Sequence, residues 1–467
     1  MILNLISLLG IGVLCIIAWL GSENRRVIPW NTIVWGIVLQ LLVGLLVFVV
    51  GPDVVRGIND LLNVVLDASE AGARFLFGGS SSAFFVDKEF GIGPGPAARW
   101  LARTLGNSFT AVPGDRLDYT NLNLGFNLAF RSLPQVIFFS GLVALLYRLH
   151  IIQPIVQVFA KLFQKTMKIS GAESLAGAAN IFVGIESAIA VKPYLLAMTR
   201  SEICAILTSC FGSIASSVLA LYAGLLRPTF PAITGHLVSA SIMTIPACFV
   251  LSKLLVPETN TPETMGHIPP DPVENPEKRP NPIDSLIIGA LDGVKMAVGI
   301  AAVLIAILGL VALLNAVFDG LASLPGFLGV LFQQITIANI MGVLFFPLTL
   351  LTGVSLDMQE VWMASSLIGR RLFETNVPPY LALAQLNQAG EISDRAMLIV
   401  SYALCGFTHF ASYGIFIGGL SALIPSRRSE VSSLGLKALW AGTLATLMTG
   451  CVAGLFFFGN NPTILGK

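Results

Sequence analysis

Long, unbroken apolar runs constrain this chain more than any other feature of it. Eight of them cover residues 2–20, 30–50, 130–149, 203–226, 232–256, 286–318, 397–423 and 434–458. A helix needs roughly 20 apolar residues to cross the hydrocarbon core of a bilayer. Within that core every backbone N–H and C=O has to be satisfied internally, which leaves helices or closed barrels. Barrel strands alternate apolar and polar residues, and these runs do not. Charged residues make up 11% of the chain, against roughly 25% in soluble domains. The fold class is therefore an all-α membrane protein with eight transmembrane helices.

A net charge of +1 argues against nucleic acid as a partner. Cys15, Cys204, Cys210, Cys248, Cys405 and Cys451 all lie inside apolar runs without metal-site spacing. They read as small buried hydrophobes. Residues 1–20 lack a positive segment at their start, and Arg25 and Arg26 follow the apolar run instead. That stretch reads as a first membrane helix with its N-terminus outside.

Positive charge in short loops marks the cytoplasmic side. Arg25 and Arg26, then Lys161, Lys165 and Lys168, then Lys253, Lys278 and Arg279, and finally Arg427 and Arg428 fall in alternate connections. Eight crossings with both termini outside place all of them inside. Arg370 and Arg371 fit only near the outer side or within a re-entrant element. A ninth apolar stretch, 326–354, is interrupted by Pro347 and reads as an interfacial helix on the outer side. Residues 58–77 carry apolar residues at helical spacing and read as an amphipathic surface helix. They belong to an external segment, 51–124, whose part 78–122 reads as a loop. Residues 258–283 are rich in Pro, Glu, Asn and Thr and read as a flexible cytoplasmic linker.

Two further stretches, 171–198 and 362–386, are membrane-like but have polar centres. The first centre is Gly184-Ile185-Glu186-Ser187, and the second is Glu374-Thr375-Asn376-Val377-Pro378-Pro379. Each alone also reads as an interfacial helix pair with an ordinary loop. Irregular backbone at membrane depth survives where protein or a water-filled cavity satisfies it, and broken helices of this kind mark transporter binding sites. An internal repeat favours re-entrant hairpins. The block from Phe211 to Ser216 shares Phe and Ala-Ser spacing with the block from Phe407 to Ser412. In both places the order is hairpin, polar-centred helix, plain helix. The first unit starts inside and the second outside, which makes an inverted repeat. The organisation read from this is scaffold helices over 1–168, a first transport repeat over 169–257, and the linker 258–283. A scaffold helix with its surface helix follows over 284–354, and a second transport repeat over 355–467.

Polar residues inside membrane segments need a reason to be there. Glu186 stands alone in the first hairpin, as a binding carboxylate or a helix cap. Asn180, Ser213, Ser216 and Ser217, with free carbonyls such as those of Val183 and Ile214, are neutral oxygen ligands of the kind a small hard cation takes. Serines in membrane helices also pack, or bond their own backbone. His409 lies centrally in the seventh span, as a proton relay, a substrate donor or a partner to a neighbouring helix. No phosphate-binding loop or paired-histidine zinc motif is present. An enzyme reading would need a serine activated by a base, which nothing in the sequence specifies.

These residues resemble the concentrative nucleoside transporter family along nearly the whole chain. The likeness is carried by Ala18-Trp19-Leu20-Gly21-Ser22-Glu23-Asn24-Arg25-Arg26 and by Gly171-Ala172-Glu173-Ser174-Leu175. It continues in Asn180-Ile181-Phe182-Val183-Gly184, Met198-Thr199-Arg200-Ser201-Glu202, Tyr402-Ala403-Leu404-Cys405-Gly406-Phe407, Ile417-Gly418-Gly419-Leu420 and Arg427-Arg428. The resemblance implies a homotrimer in the plasma membrane, here a bacterial inner membrane. It implies a scaffold of spans one to three and six. A mobile domain of both hairpins and spans four, five, seven and eight would carry solute and sodium by an elevator motion. The family's sodium site falls on Asn180, Val183 (carbonyl), Ser213 and Ile214 (carbonyl). Its solute site falls on Glu186, Ser187, Val218, Asn376, Phe407, His409 and Ser412.

The solute positions depart from the family pattern. Its first tip, Gly-Gln-Thr-Glu-Ala-Pro, is Gly184-Ile185-Glu186-Ser187-Ala188-Ile189 here. Its second tip, Asn-Glu-Phe, becomes Thr375-Asn376-Val377, and a helix motif Phe-x-Asn-Phe-Ser-Ser becomes Phe407-Thr408-His409-Phe410-Ala411-Ser412. The carboxylate that binds ribose hydroxyls is thus missing unless Glu374 replaces it. The expectation is altered specificity: a modified nucleoside, a base or another small polar solute. Alternatives are proton coupling through Glu186 and His409, and a non-transporting membrane receptor.

Overall fold

The computed structural model describes residues 2–50, 52–77, 129, 133–268, 280–326, 332, 335–459 and 465–466. Sixteen α-helices and no strand occur among them. The external loop read over 78–122 lies outside the described residues, as does most of the linker.

Helices α1 (Ile2–Leu20) and α2 (Trp30–Leu45) are the first two apolar runs, and α2 continues through a π-helical turn, Leu46–Val50. The amphipathic helix α3 spans Pro52–Phe77, longer than the pattern suggested. It buries Asn59, Leu66, Ser69 and Ala73, and it leaves Leu61, Val64 and Phe75 exposed. Helix α4 (Leu133–Arg148) is followed after an 80° bend by α5 (Ile152–Met167). The sequence reading passed over α5. Its buried residues Ile152, Val156, Ala160, Phe163 and Met167 recur every three or four positions and make one apolar stripe.

Helix α6 (Gly171–Ala179) and a 3₁₀ helix (Ile185–Tyr194) form the first hairpin. Helices α7 (Arg200–Gly212) and α8 (Ser216–Leu226) follow. Helix α9 (Ile233–Leu255) is buried along most of its length. Helix α10 (Pro282–Ala322) has 41 residues, about 60 Å at 1.5 Å per residue. Asn281 caps it by accepting from Asp284 N at 2.8 Å. Gly289 and Gly293 bring α10 against α4. A Cβ at either would sit 2.5 Å from Ala144 Cβ or 2.7 Å from Ile137 Cα, so only a small residue permits this crossing. Ile283, Ile305 and Leu313 on α10 are exposed apolar side chains, suited to lipid or to another subunit.

Helix α11 (Ile337–Leu351) is the helix read in the ninth stretch, and it packs on the second hairpin, α12 (Met358–Glu374) and α13 (Val377–Gln388). Helices α14 (Asp394–Ala403) and α15 (Phe410–Leu423) precede the buried α16 (Arg428–Leu455).

Two expectations need correcting. The fourth and seventh apolar runs are not continuous helices: each is two half-helices, α7 and α8, and α14 and α15, separated by non-helical backbone at 213–215 and 404–409. The linker is not free from its start. Thr264 is buried, its carbonyl accepts from Gly171 N at 3.0 Å, and its hydroxyl accepts from Ala172 N at 3.0 Å. Glu258 accepts from Thr199 Oγ1 at 2.9 Å and pairs with Lys253 at 3.1 Å. The first eleven linker residues, 258–268, therefore dock onto the base of the first hairpin.

Five cysteines are buried and Cys15 is half-buried, all with free thiols, as read from their apolar surroundings.

Candidate functional site

Both hairpins end against a broken helix. The two breaks meet at Gly406, where a Cβ would lie 2.6 Å from Gly212 O and 2.6 Å from Thr446 Cγ2. Only glycine allows the two backbones to approach so closely.

The first hairpin docks on the first break through its backbone. Ser216 N and Oγ donate to Phe182 O at 3.0 and 2.7 Å, and Ser241 Oγ donates to Ile181 O at 3.2 Å. Gly184 O accepts from Ser187 N at 3.0 Å. Val183 O and Ile214 O accept no backbone hydrogen bond among the described residues, and the Asn180 amide reaches Val183 O but not Ile214 O. That amide can be seated in two ways, which differ by an exchange of nitrogen and oxygen. With nitrogen inward it donates to Val183 O at 2.6 Å and Gly184 O at 2.9 Å, while its oxygen accepts from Ser209 Oγ and Cys210 N. With oxygen inward, Nδ2 donates to Ser209 Oγ at 2.9 Å and Cys210 Sγ at 3.3 Å. The nitrogen-inward seating is the one the surrounding hydrogen-bonding groups favour, and the oxygen-inward seating would need a cation among its three oxygens. Asn180 is fully buried. Ser213 Oγ donates to Ser209 O at 2.8 Å, which leaves its lone pairs available. This all-oxygen, uncharged donor set fits a small hard monovalent ion.

The second hairpin closes its break with side chains. Asn376 Nδ2 donates to Leu404 O at 3.0 Å and to Gly406 O at 2.6 Å. Tyr380 donates to Ser401 O at 2.9 Å. Arg371 Nη1 donates to Ala403 O, and to Thr446 Oγ1 at 3.2 Å. Thr375 joins the two limbs at φ +68°, a sterically unfavourable conformation for a β-branched residue that must be held by its surroundings. Glu374 does not face this site. Its carboxylate is taken by Arg370 at 2.8 Å.

Buried polar atoms are nearly always hydrogen-bonded. Here Ser187 Oγ, Arg371 Nη2, Thr375 Oγ1, Asn376 Oδ1 and Thr408 Oγ1 are buried without a partner among the described residues. All five lie on the tips or at the second break. The Tyr222 phenol sits beside the Asn376 amide but makes no hydrogen bond with Oδ1.

The remaining expected residues divide by role. Val218 is buried in the first turn of α8. Phe407 is half-buried, with ring centroids 5.9 Å from His409 and 6.5 Å from Tyr222. His409 caps α15: its Nδ1 accepts from Ser412 N at 3.0 Å. Nδ1 in that bond carries no proton, which leaves Nε2–H as the free donor. Ser412 Oγ donates to Phe407 O and, at 2.7 Å, to His409 O. Ser412 is therefore spent on the break itself. The backbone of Glu186 lies in the 3₁₀ helix of the first hairpin, and its side chain lies outside what the structure describes. Sequence reasoning did not single out Arg371, Thr375 or Thr408. The one signal was that Arg371 fitted the charge topology only in a re-entrant element. Two surface cavities, of about 370 Å³ beside α12 and α13 and about 250 Å³ between α3 and α8, are lined by other residues.

Three segments match models of one transporter family. Residues 9–80 match the N-terminus and 236–454 the C-terminus of the Na+ dependent nucleoside transporter, and 129–229 match a nucleoside recognition (Gate) domain. An uncharacterized transporter of Haemophilus influenzae is 35% identical, over 96% of this chain and 97% of its own. The nucleoside permease NupC of Helicobacter pylori is 31% identical, over 97% and 98%. The structure of CNTnw in an inward-facing substrate-bound state superposes with a TM-score of 0.80 at 32% identity, covering 97% of this chain and 98% of that one. A CNTnw variant in an outward-facing state gives the same score and identity, covering 98% of each. The relatives are transporters and not enzymes. This chain is a multi-pass membrane protein that belongs to the concentrative, Na+ dependent nucleoside transporter family.

Proposed function

We propose that this chain imports a nucleoside or nucleoside-like solute across the plasma membrane, driven by sodium, through an elevator motion of the two hairpin repeats against the scaffold. In this reading sodium is cargo held by Asn180, Ser213 and the carbonyls of Val183 and Ile214. The solute is held by Glu186, Ser187, Val218, Asn376, Phe407 and His409, with Ser412 shaping the break. The protein works as a homotrimer, with both termini outside.

The observation that carries the ion is the Asn180 amide, which in one seating gathers three oxygens at a helix break. Proton coupling through His409 has less support, because its Nδ1 already serves the cap of α15. Solute specificity differs from that of relatives with a carboxylate at the second tip. Asn376 offers one amide oxygen, and its nitrogen is used by the carbonyls of Leu404 and Gly406. A hydrogen bond to a charged group contributes roughly 1.5–3 kcal/mol and a neutral one about 1, so ribose is held less firmly.

The test is a thermal-shift panel of nucleosides, bases and modified nucleosides on the purified full chain, in sodium and in choline. A ligand of the folded state raises the melting temperature with its concentration over Kd. A modified nucleoside or base that stabilises only in sodium is the expected result. Micromolar, sodium-driven uptake of plain uridine or adenosine would remove the claim of altered specificity.

A further inference from the structure

Arg371 is 1% exposed, near the end of the first limb of the second hairpin. A guanidinium cannot shed its charge in a protein. A buried charge without a counter-ion is strongly unfavourable unless its surroundings supply compensating negative potential. Arg371 forms no ion pair among the described residues, since the adjacent Glu374 is taken by Arg370. What it meets is Ala403 O, the last carbonyl of α14, and Thr446 Oγ1. The C-terminus of a helix carries a partial negative charge on its unsatisfied carbonyls, and at membrane depth no water neutralises it. The corresponding end of α7 faces the same problem, yet the first hairpin brings only a neutral amide, Asn180, to that end.

We infer that Arg371 is a resident cation, tethered at the second break where the first break takes a sodium ion, so that one sodium ion accompanies each solute. The inference rests on the reading of the first break as a sodium site. A second free ion at the second break would have to enter a place already holding a fixed positive charge. Removing that charge while keeping a polar side chain creates a demand for a soluble cation. The unpartnered Nη2 of Arg371 marks the edge that such an ion, or a guanidinium from solution, would occupy.

Sodium stoichiometry can be read without knowing the solute. Stabilisation by a ligand grows as the logarithm of its concentration once per site. The slope of melting temperature against log sodium, with choline holding ionic strength constant, therefore counts sites. The full-length chain and Arg371→Lys are expected to give the same one-site slope. Arg371→Gln is expected to give about twice that slope, and millimolar guanidinium chloride is expected to stabilise this variant but not the parent chain. An Arg371→Gln slope equal to that of the parent overturns the inference and leaves the sodium site of the first break intact. A parent chain with no response to sodium overturns the reading of the first break, and this inference with it. If Arg371→Gln folds only in sodium or guanidinium, the inference stands in its strongest form. If it folds in neither, nor in choline, Arg371 is a packing residue and the inference fails.

Discussion

At the first break the carbonyls of Val183 and Gly184 share a single amide, whereas at the second Ala403, Leu404 and Gly406 are each held by a hairpin side chain. The backbone problem is the same in both places: helix ends at membrane depth with no water to satisfy them. The difference lies in what the hairpin contributes. In the proposed reading one repeat leaves a place for a sodium ion, and the other fills the matching place with Arg371, Asn376 and Tyr380. An inverted repeat in the backbone has become asymmetric in the side chains that meet its two breaks.

The sharpest way to break this comparison is Asn180→Leu. Loss of supporting contacts weakens a metal site by roughly 10–100-fold, and Asn180 is a direct ligand in the proposed sodium site. Sodium stabilisation should fall by at least about 100-fold in half-saturating concentration, read by thermal shift. An unchanged sodium response would equate the two breaks. Asn376→Leu at the second break should behave oppositely. It strands two buried carbonyls, at roughly 1–3 kcal/mol each, and should lower stability equally in sodium and in choline.

Gly406→Ala strikes the contact between the breaks. Its Cβ would overlap Gly212 O, and overpacking of this kind destabilises by about 1–3 kcal/mol. The loss should show in denaturation and should weaken sodium binding as well, because Gly212 immediately precedes Ser213.

The smallest effect concerns how each first half-helix is anchored. The start of α7 is held by Arg200, which pairs with Glu23 at 2.9 Å, and Lys437 joins the same carboxylate at 2.5 Å. The start of α14 is held by Arg395, which donates to Gly353 O at 2.7 Å and Ser7 Oγ at 3.2 Å. Arg200 and then Lys437 draw the Glu23 carboxyl down from 4.5 to about 2. Its stabilisation is complete above about pH 4.5 and disappears as pH falls toward about 2. The cluster is partly exposed and screened by salt, so Glu23→Gln should cost less than about 1 kcal/mol. That loss should vanish in molar salt, while the Arg395 anchor should ignore salt.

Much of the fold was legible because apolar run length is a local property. Runs 2–20, 30–50 and 232–256 became α1, α2 and α9, and the polar centres became hairpin tips. The breaks at 213–215 and 404–409 were legible only as the polar centres of single spans, with a free carbonyl at Ile214, and not in their extent. Ser213-Ile214-Ala215 is small and neutral, and hydropathy passes through it unchanged. What stops the helix is competition for its carbonyls from residues distant in sequence, such as Asn376, and Ser216 seals the first break by reaching back to Phe182. The stripe of α5 is legible at Ile152, Val156 and Ala160, but Lys161, Lys165 and Lys168 interrupt the apolar run that a membrane span needs. At the site, Asn180 and Asn376 could be named from the motif. The roles of His409 and Ser412 as mutual caps, the φ of Thr375 and the burial of Arg371 depend on tertiary neighbours that no local pattern records.

In the proposed cycle, the two seatings open to the Asn180 amide bear on the return stroke. A carrier must come back without its cargo, and a bare cluster of oxygens would make that empty form costly. An amide turned over supplies two protons to Val183 O and Gly184 O at 2.6 and 2.9 Å, so the vacant form satisfies itself. A carboxylate could grip the ion harder but has no proton to offer when the ion has left. Asn180→Asp should therefore exchange loaded solute across the membrane readily while net uptake, which needs the unloaded return, slows. Slower net uptake with unimpaired exchange would place this asparagine in the unloaded return of the proposed cycle.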